Sequence, residues 1–350
     1  MNHNKISVSQ FFICMFLCNI FLVFGFLNTL GETNSFFFNI LTLVAGVILL
    51  IVSCIPSYLL YKKTGKTTTA ISSEHSVGMS IIIKLYYLIC FVIFTSVITS
   101  KFAIFLKNSI NHDAMPLAVV FAFLLIAAFG SYKGMQALFR TAIIIFAFSL
   151  LSFAFVFFGL MDKLDFSNIL NYSQPMNINI SNSIGTLLLA LIPIMSYVVF
   201  SDSLKGNHKL GIFYSSLSTF VLFLAVSFFT ICVLGNYALF AEYPFFTLSK
   251  LSTISMLKGG DGFVFATITA VTFLLVYLFF VSGSKALDKA HSKTFSIGFF
   301  IATFVLSAVM TYVTFVYDFI TNTLFLSILL IIGLFILPLF AYSIERMRRV

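Results

Sequence analysis

The stretch 185–200 reads GTLLLALIPIMSYVVF, an apolar run that could cross a bilayer, with Pro193 near its centre. Proline has no N–H to donate, and its ring presses on the carbonyl four residues back, so a helix running through Pro193 is expected to break there. At membrane depth freed backbone groups are tolerated only against protein or a polar cavity, which makes an interrupted span a candidate binding site. A simple kink, accommodated by neighbouring helices, is the structural alternative.

The rest of the chain has the same character. Of its 350 residues 60% are hydrophobic and 9% charged, and the mean hydropathy of +1.09 lies outside the range of soluble globular proteins. The formal charge of +9 does not point to nucleic acid, because the basic residues fall in short loops between apolar runs rather than in one patch. Cys14, Cys18, Cys54, Cys90 and Cys232 all lie inside apolar runs, where they act as small hydrophobes, so no disulfide framework is expected. The run after the N-terminal MNHNKISVSQ lacks a small-residue cleavage site and reads as a retained first span.

Runs of about 17 to 25 apolar residues predict about ten spans. They fall near 8–30, 36–60, 81–106, 115–131, 138–160, 183–201, 210–237, 261–284, 294–317 and 320–342. An even count puts both termini on one side. On that side fall Lys5, Lys62, Lys63, Lys66, Lys133, Arg140, Lys205, Lys209, Lys285, Lys289, Lys293, Arg346, Arg348 and Arg349. The other side holds Lys107, Lys163, Lys250 and Lys258, so the positive-inside rule places both termini in the cytoplasm. Lys84 and Lys101 lie toward the ends of the third span, where a long stem can snorkel.

The expected architecture is one all-α integral membrane domain over 1–350. A five-plus-five division into 8–160 and 183–342 gives halves of opposite orientation, as an inverted repeat requires. Under it the first span, with Asn19, Gly25 and Asn28, answers the sixth, with Gly185, Pro193, Ser196 and Tyr197. The third span adds Thr95, Ser96, Thr99 and Ser100 on one helix face; helix-to-helix hydrogen bonding is their structural role.

All eleven acidic residues and all five histidines fall in loops or at predicted span ends. A buried proton relay or an intramembrane metal centre needs such groups at depth, so an intramembrane enzyme is disfavoured and neither metal nor cofactor is expected. A zwitterionic ligand can still be held by the free N–H groups and carbonyls of two broken spans, the first and the sixth. Asn19, Asn28, Thr95, Thr99, Ser196 and Tyr197 are neutral candidates around it, with Gly25, Gly185 and Pro193 at the interruptions. The segment from Ala238 to Asp261, with Pro244, Gly259 and Gly260, is either a cover over the outer mouth or a connection lying on the surface.

The opening Ile6-Ser7-Val8-Ser9-Gln10, the ten-span layout and the words Glu242-Tyr243-Pro244-Phe245 and Leu248-Ser249-Lys250-Leu251-Ser252 resemble the B subunit of GerA-type nutrient germinant receptors of spore-forming bacteria. That family belongs to the amino acid, polyamine and organocation transporter superfamily. The resemblance implies a ten-helix inverted repeat of the LeuT/APC type in the inner membrane of the spore. It also implies a small germinant of the amino-acid class as ligand, and A and C subunits as partners beside the lipid bilayer. The chain departs from that pattern in lacking a Gly-x-Gly break around Gly25 and in carrying Pro193 where a glycine-centred unwinding is expected. The competing readings are an independent amino-acid permease and a structural membrane subunit whose ligand pocket has decayed.

Overall fold

In hydrocarbon every backbone N–H and C=O must be satisfied within the chain, and helices do this one segment at a time. The computed structural model describes residues 6–26, 36–113, 115–171, 191–239, 241–254, 257–288 and 293–348, and these are overwhelmingly helical. The helices are α1 (Val8–Phe26), α2 (Phe36–Thr64), α3 (Thr68–His75), α4 (Val77–Ser109), α5 (Pro116–Lys133), α6 (Met135–Phe158) and α7 (Ser167–Asn171). They continue with α8 (Ile194–Phe200), α9 (His208–Leu234), α10 (Pro244–Leu251), α11 (Asp261–Ala286), α12 (Lys293–Tyr312), α13 (Thr314–Thr321), α14 (Thr323–Ile331) and α15 (Leu337–Arg348). Two small pairings accompany them. Parallel strands join β1 (Ile6–Ser7) to β2 (Leu204–Lys205), and an antiparallel hairpin joins β3 (Thr253–Ile254) to β4 (Leu257–Lys258).

Among the described residues eight helices are long and apolar enough to cross a membrane: α2, α4, α5, α6, α9, α11, α12 and the run α14–α15. The chain is therefore an all-α integral membrane protein. Of the ten predicted spans, the first is represented by α1, and the sixth is described from Leu191 onward, its first eight residues lying outside the described ones. Large apolar side chains such as Ile82, Ile144, Leu151 and Leu324 are exposed around the bundle, as a lipid solvent permits.

Local chemistry sets the helix ends. Thr67 accepts a bond from the N–H of Ala70 at the start of α3, and Ser76 does the same for Met79 at the start of α4. Asn207 caps α9 through the N–H groups of Lys209 and Leu210, while Pro116 and Pro244 open α5 and α10 at a position where a missing N–H is harmless. The connection expected between 131 and 138 shrinks to Gly134, whose φ of 87° lets α6 begin at once.

Two further differences from the sequence expectation stand out. The first cytoplasm-assigned connection contains the helix α3, whose residues Thr68, Thr69, Ile71 and Ser72 are buried. The ninth span ends at Tyr312, because Val313 is extended and α13 starts afresh at Thr314. No glycine or proline marks that turn, and hydropathy runs through it unchanged. Lys101 lies about two turns inside the end of α4, within the distance from a span end that the sequence reading gives it, with its side chain half-buried.

The bundle is organised around α11. In its apolar window 72% of residues are buried, against 22% in α5, so α11 is the axis and α5 a peripheral helix. It packs against α1, α4, α5, α6 and α8, and α4 and α5 in turn pack against α12. On the other side α9 packs against α1 and α2, and α15 against α2.

Candidate functional site

The Pro193 stretch is interrupted. Leu191 is helical, Ile192 and Pro193 form a turn, and α8 begins at Ile194. Two tight bonds close the turn, from the N–H of Met195 to the carbonyl of Ile192 at 3.2 Å and from the N–H of Ser196 to the carbonyl of Pro193 at 3.0 Å. These are bonds to the third residue back, the geometry a chain adopts when the fourth-residue ladder is unavailable. The sequence expectation that a break leaves free donors is thus met differently: the N–H groups of Met195 and Ser196, just past the break, are already engaged. Every residue of α8 is buried.

Facing α8 is a second irregular segment that sequence reasoning missed. Between α14 and α15 the backbone widens into a π turn over Ile332–Ile336, with the N–H of Leu337 bonded to the carbonyl of Ile332. Pro338 follows directly, and a regular helix would press its ring on the carbonyl of Leu334. In a regular ladder the N–H of Leu337 would go to Gly333; the π turn frees the Gly333 carbonyl, and Tyr87 Oη of α4 donates to it at 2.9 Å. Tyr86 Oη donates to the carbonyl of Leu329 at 2.5 Å. A Cβ on Gly333 would meet Met195 Cε at 2.5 Å and Sδ at 2.6 Å, so the missing side chain is what lets α8 approach. The sequence signal was Gly333 five residues before Pro338 in an otherwise apolar run.

From this junction polar side chains run toward the end of the bundle that carries the basic loops. Ser196 and Ser282 of α11 are hydrogen-bonded at 3.0 Å. Tyr197 Oη lies 3.0 Å from Nδ1 of His208, whose ring stacks on Tyr61 at 4.5 Å between centroids and 14° between planes. His208, which the sequence reading puts just before the seventh span, is the first residue of α9, and the Asn207 cap turns the chain so that it is buried. Just beyond, Lys285 of α11 binds Asp202 and Ser203 and lies over the ring of Phe200, and β1 pairs with β2. These contacts tie the end of α8 to both α11 and the chain's beginning.

The opposite end is covered by α10. Pro244, Phe245, Phe246, Leu248 and Ser249 are buried, so the segment is tucked into the bundle rather than lying on its surface. It packs against α1, α9 and α11, and Phe245 lies against Phe153 of α6. Asn108 of α4 donates to Glu242 at 2.9 Å, Lys163 donates to the carbonyl of Leu251, and the N–H of Thr253 to the carbonyl of Gly159 at 2.9 Å. Burial, with Glu242 beside it, holds the Tyr243 phenol above its ordinary range.

The remaining sequence candidates go to other helix pairs. Asn19 is buried in α1, its Nδ2 donating to Thr219 Oγ1 of α9 at 3.3 Å while its Oδ1 has no partner among the described residues. No break occurs between Val8 and Phe26, so Asn19 and Gly25 sit within a continuous helix and the expected interruption of the first span is absent there. Asn28 and Gly185 lie outside the described residues. Thr95 Oγ1 donates to the carbonyl of Phe91 in its own helix, and Thr99 Oγ1 lies 2.9 Å from Ser307 Oγ of α12. Ser96 and Ser100 donate to the carbonyls of Thr303 and Ser307, completing a polar seam between α4 and α12. The five cysteines are buried and free.

No family model and no curated protein matches this chain.

Proposed function

We propose that this chain is the ligand-sensing membrane subunit of a spore nutrient germinant receptor, binding a small amino acid at the Pro193 break. The observation that carries the reading is the meeting of two irregular backbones, the buried Ile192–Pro193 turn and the π turn at Ile332–Ile336, whose Gly333 and Leu334 are buried. Irregular backbone at membrane depth is where such bundles bind small polar solutes. Ligand binding exchanges the tight bonds of Met195 and Ser196 for bonds to a carboxylate, with Ser282 and Tyr197 responding through their hydroxyls.

The packing supports the inverted five-plus-five repeat. When α1, α2, α4, α5 and α6 are set against α8, α9, α11, α12 and α14–α15, α4 against α12 answers α11 against α5, and α1 against α9 answers α8 against α2. The short helix α3 on α4 likewise answers α10 on α11. Under this reading the basic end faces the cytoplasm of the spore core and the A and C subunits complete the receptor.

A second reading, an independent amino-acid permease, is favoured by one feature. Closures at both ends of the bundle, by α10 at one and by Lys285 with Asp202 at the other, are what alternating access needs. Two measurements separate the readings. The receptor assignment expects the chain to co-purify with A and C subunits from spore membranes, and spores lacking it to lose their response to one amino acid. It also expects no accumulation of labelled amino acids by proteoliposomes of the chain alone under an imposed pH gradient. Uphill uptake that collapses with a protonophore would establish the permease instead.

A further inference from the structure

A groove of about 400 Å³ runs between the start of α1, α6 and the start of α9, away from the Pro193 junction. One side is aromatic along its length, with Phe12 and Phe16 of α1 facing Phe146 of α6. Ser7, Ser9, Lys205 and Asn207, all exposed, form one end, and Ser215 and Ser218 of α9 line the groove further along. Tyr214 closes the outer side of α9 at 61% exposure, and Phe213 and Leu217 beside it are exposed too, so the groove opens toward the lipid rather than into the core. Its shape follows from two glycines. Gly211 allows α9 to come so close to α1 that a Cβ there would lie 2.3 Å from the ring of Phe12, and Gly206, with φ of 134°, turns the chain from β2 into the cap of α9.

We infer that this groove is a binding site for one anionic phospholipid of the leaflet at the basic end, with its phosphate at Lys205 and an acyl chain along Phe12, Phe16 and Phe146. The lining suits a phospholipid: a cation and hydroxyls at the interface, then the aromatic side formed by Phe12, Phe16 and Phe146 reaching into the bilayer, with Ser215 and Ser218 on the α9 side. Asp202, the carboxylate nearest in sequence, is engaged by Lys285, and Lys205 forms no ion pair among the described residues. Basic residues at a membrane surface attract anionic headgroups, and pockets between spans at such an end hold them. A neutral lipid would leave that charge unanswered. Lys205 lies in β2, which pairs with β1, so an occupied groove fastens the beginning of the chain to the segment leaving α8. The inference holds for a receptor and for a permease alike.

The test uses the full chain purified in mild detergent, with native mass spectrometry reading retained phosphatidylglycerol against phosphatidylcholine. Wild type is expected to retain one phosphatidylglycerol, and Lys205→Gln to weaken that retention about fivefold, the scale for one basic residue at an anionic surface. Lys209→Gln is the control, since Lys209 lies over the ring of Tyr58 and outside the groove, and it should retain lipid as wild type does. Ser9→Trp, which fills the polar mouth, should abolish retention, with normal melting of the purified protein showing that the fold survives. Equal retention of the two lipids, unchanged retention in Lys205→Gln, or full displacement by inorganic phosphate would overturn the inference. So would a cross-link from Ser9→Cys to another subunit in native membranes, because the groove would then hold protein.

Discussion

The seam between α4 and α12 and the junction between α8 and the π turn are both buried and both polar, yet they solve the backbone problem in opposite ways. In the seam Ser96, Thr99, Ser100, Thr303 and Ser307 decorate two regular helices, and each hydroxyl bonds back along its own helix, across to the other, or both. At the junction the backbones themselves depart from the regular ladder, and Tyr87 of α4 answers the carbonyl of Gly333 while Tyr86 adds a second donor to that of Leu329. A satisfied seam on regular helices is scaffold, because nothing in it gains from a change of partner. A junction held by three-residue turns and borrowed hydroxyls can exchange partners with a ligand at little cost.

That contrast breaks most readily at Gly333. Gly333→Val would place branched methyls where Met195 already sits, an overpacking of about 1–3 kcal/mol, and should abolish the amino-acid response. Gly333→Ala should be milder, because the first atom it meets is the flexible end of Met195. A normal dose response in Gly333→Val spores, with the protein present in the membrane, would remove the junction from the account.

Pro193→Ala should have the next largest effect. Restoring an N–H lets the helix continue through position 193, so the protein should remain in the membrane while its dose response shifts to higher ligand. An unchanged dose response would return Pro193 to a simple kink. Smallest of all should be Ser307→Ala in the seam, which removes one interhelical hydroxyl bond worth roughly 0.6 kcal/mol. It should lower thermal stability slightly and leave the response intact; a lost response would erase the distinction between the two regions.

Much of this was legible in the sequence. The apolar runs located eight of the expected spans to within a few residues where helix ends carry caps or prolines, as at Pro116 and Asn207. The break at Pro193 was legible because proline's missing N–H is a property of one residue. The π turn was not, since it depends on Gly333, Pro338 and the facing Met195 together, and a hydropathy reading registers none of these. His208 was missed for a related reason: its burial comes from the ring of Tyr61 and the hydroxyl of Tyr197, partners supplied by other helices. Thr95 and Thr99 were legible as a polar face, but which helix that face meets is a tertiary fact, and α12 takes Thr99.

The central claim, that the ligand binds where α8 begins, is tested most directly by photolabelling. A diazirine analogue of the activating amino acid, irradiated on the intact receptor and mapped by peptide mass spectrometry, should label residues within 191–200 and 329–337, and Pro193→Ala should suppress that labelling. Labelling confined to 95–107 and 303–311, on the α4–α12 seam, would contradict the account.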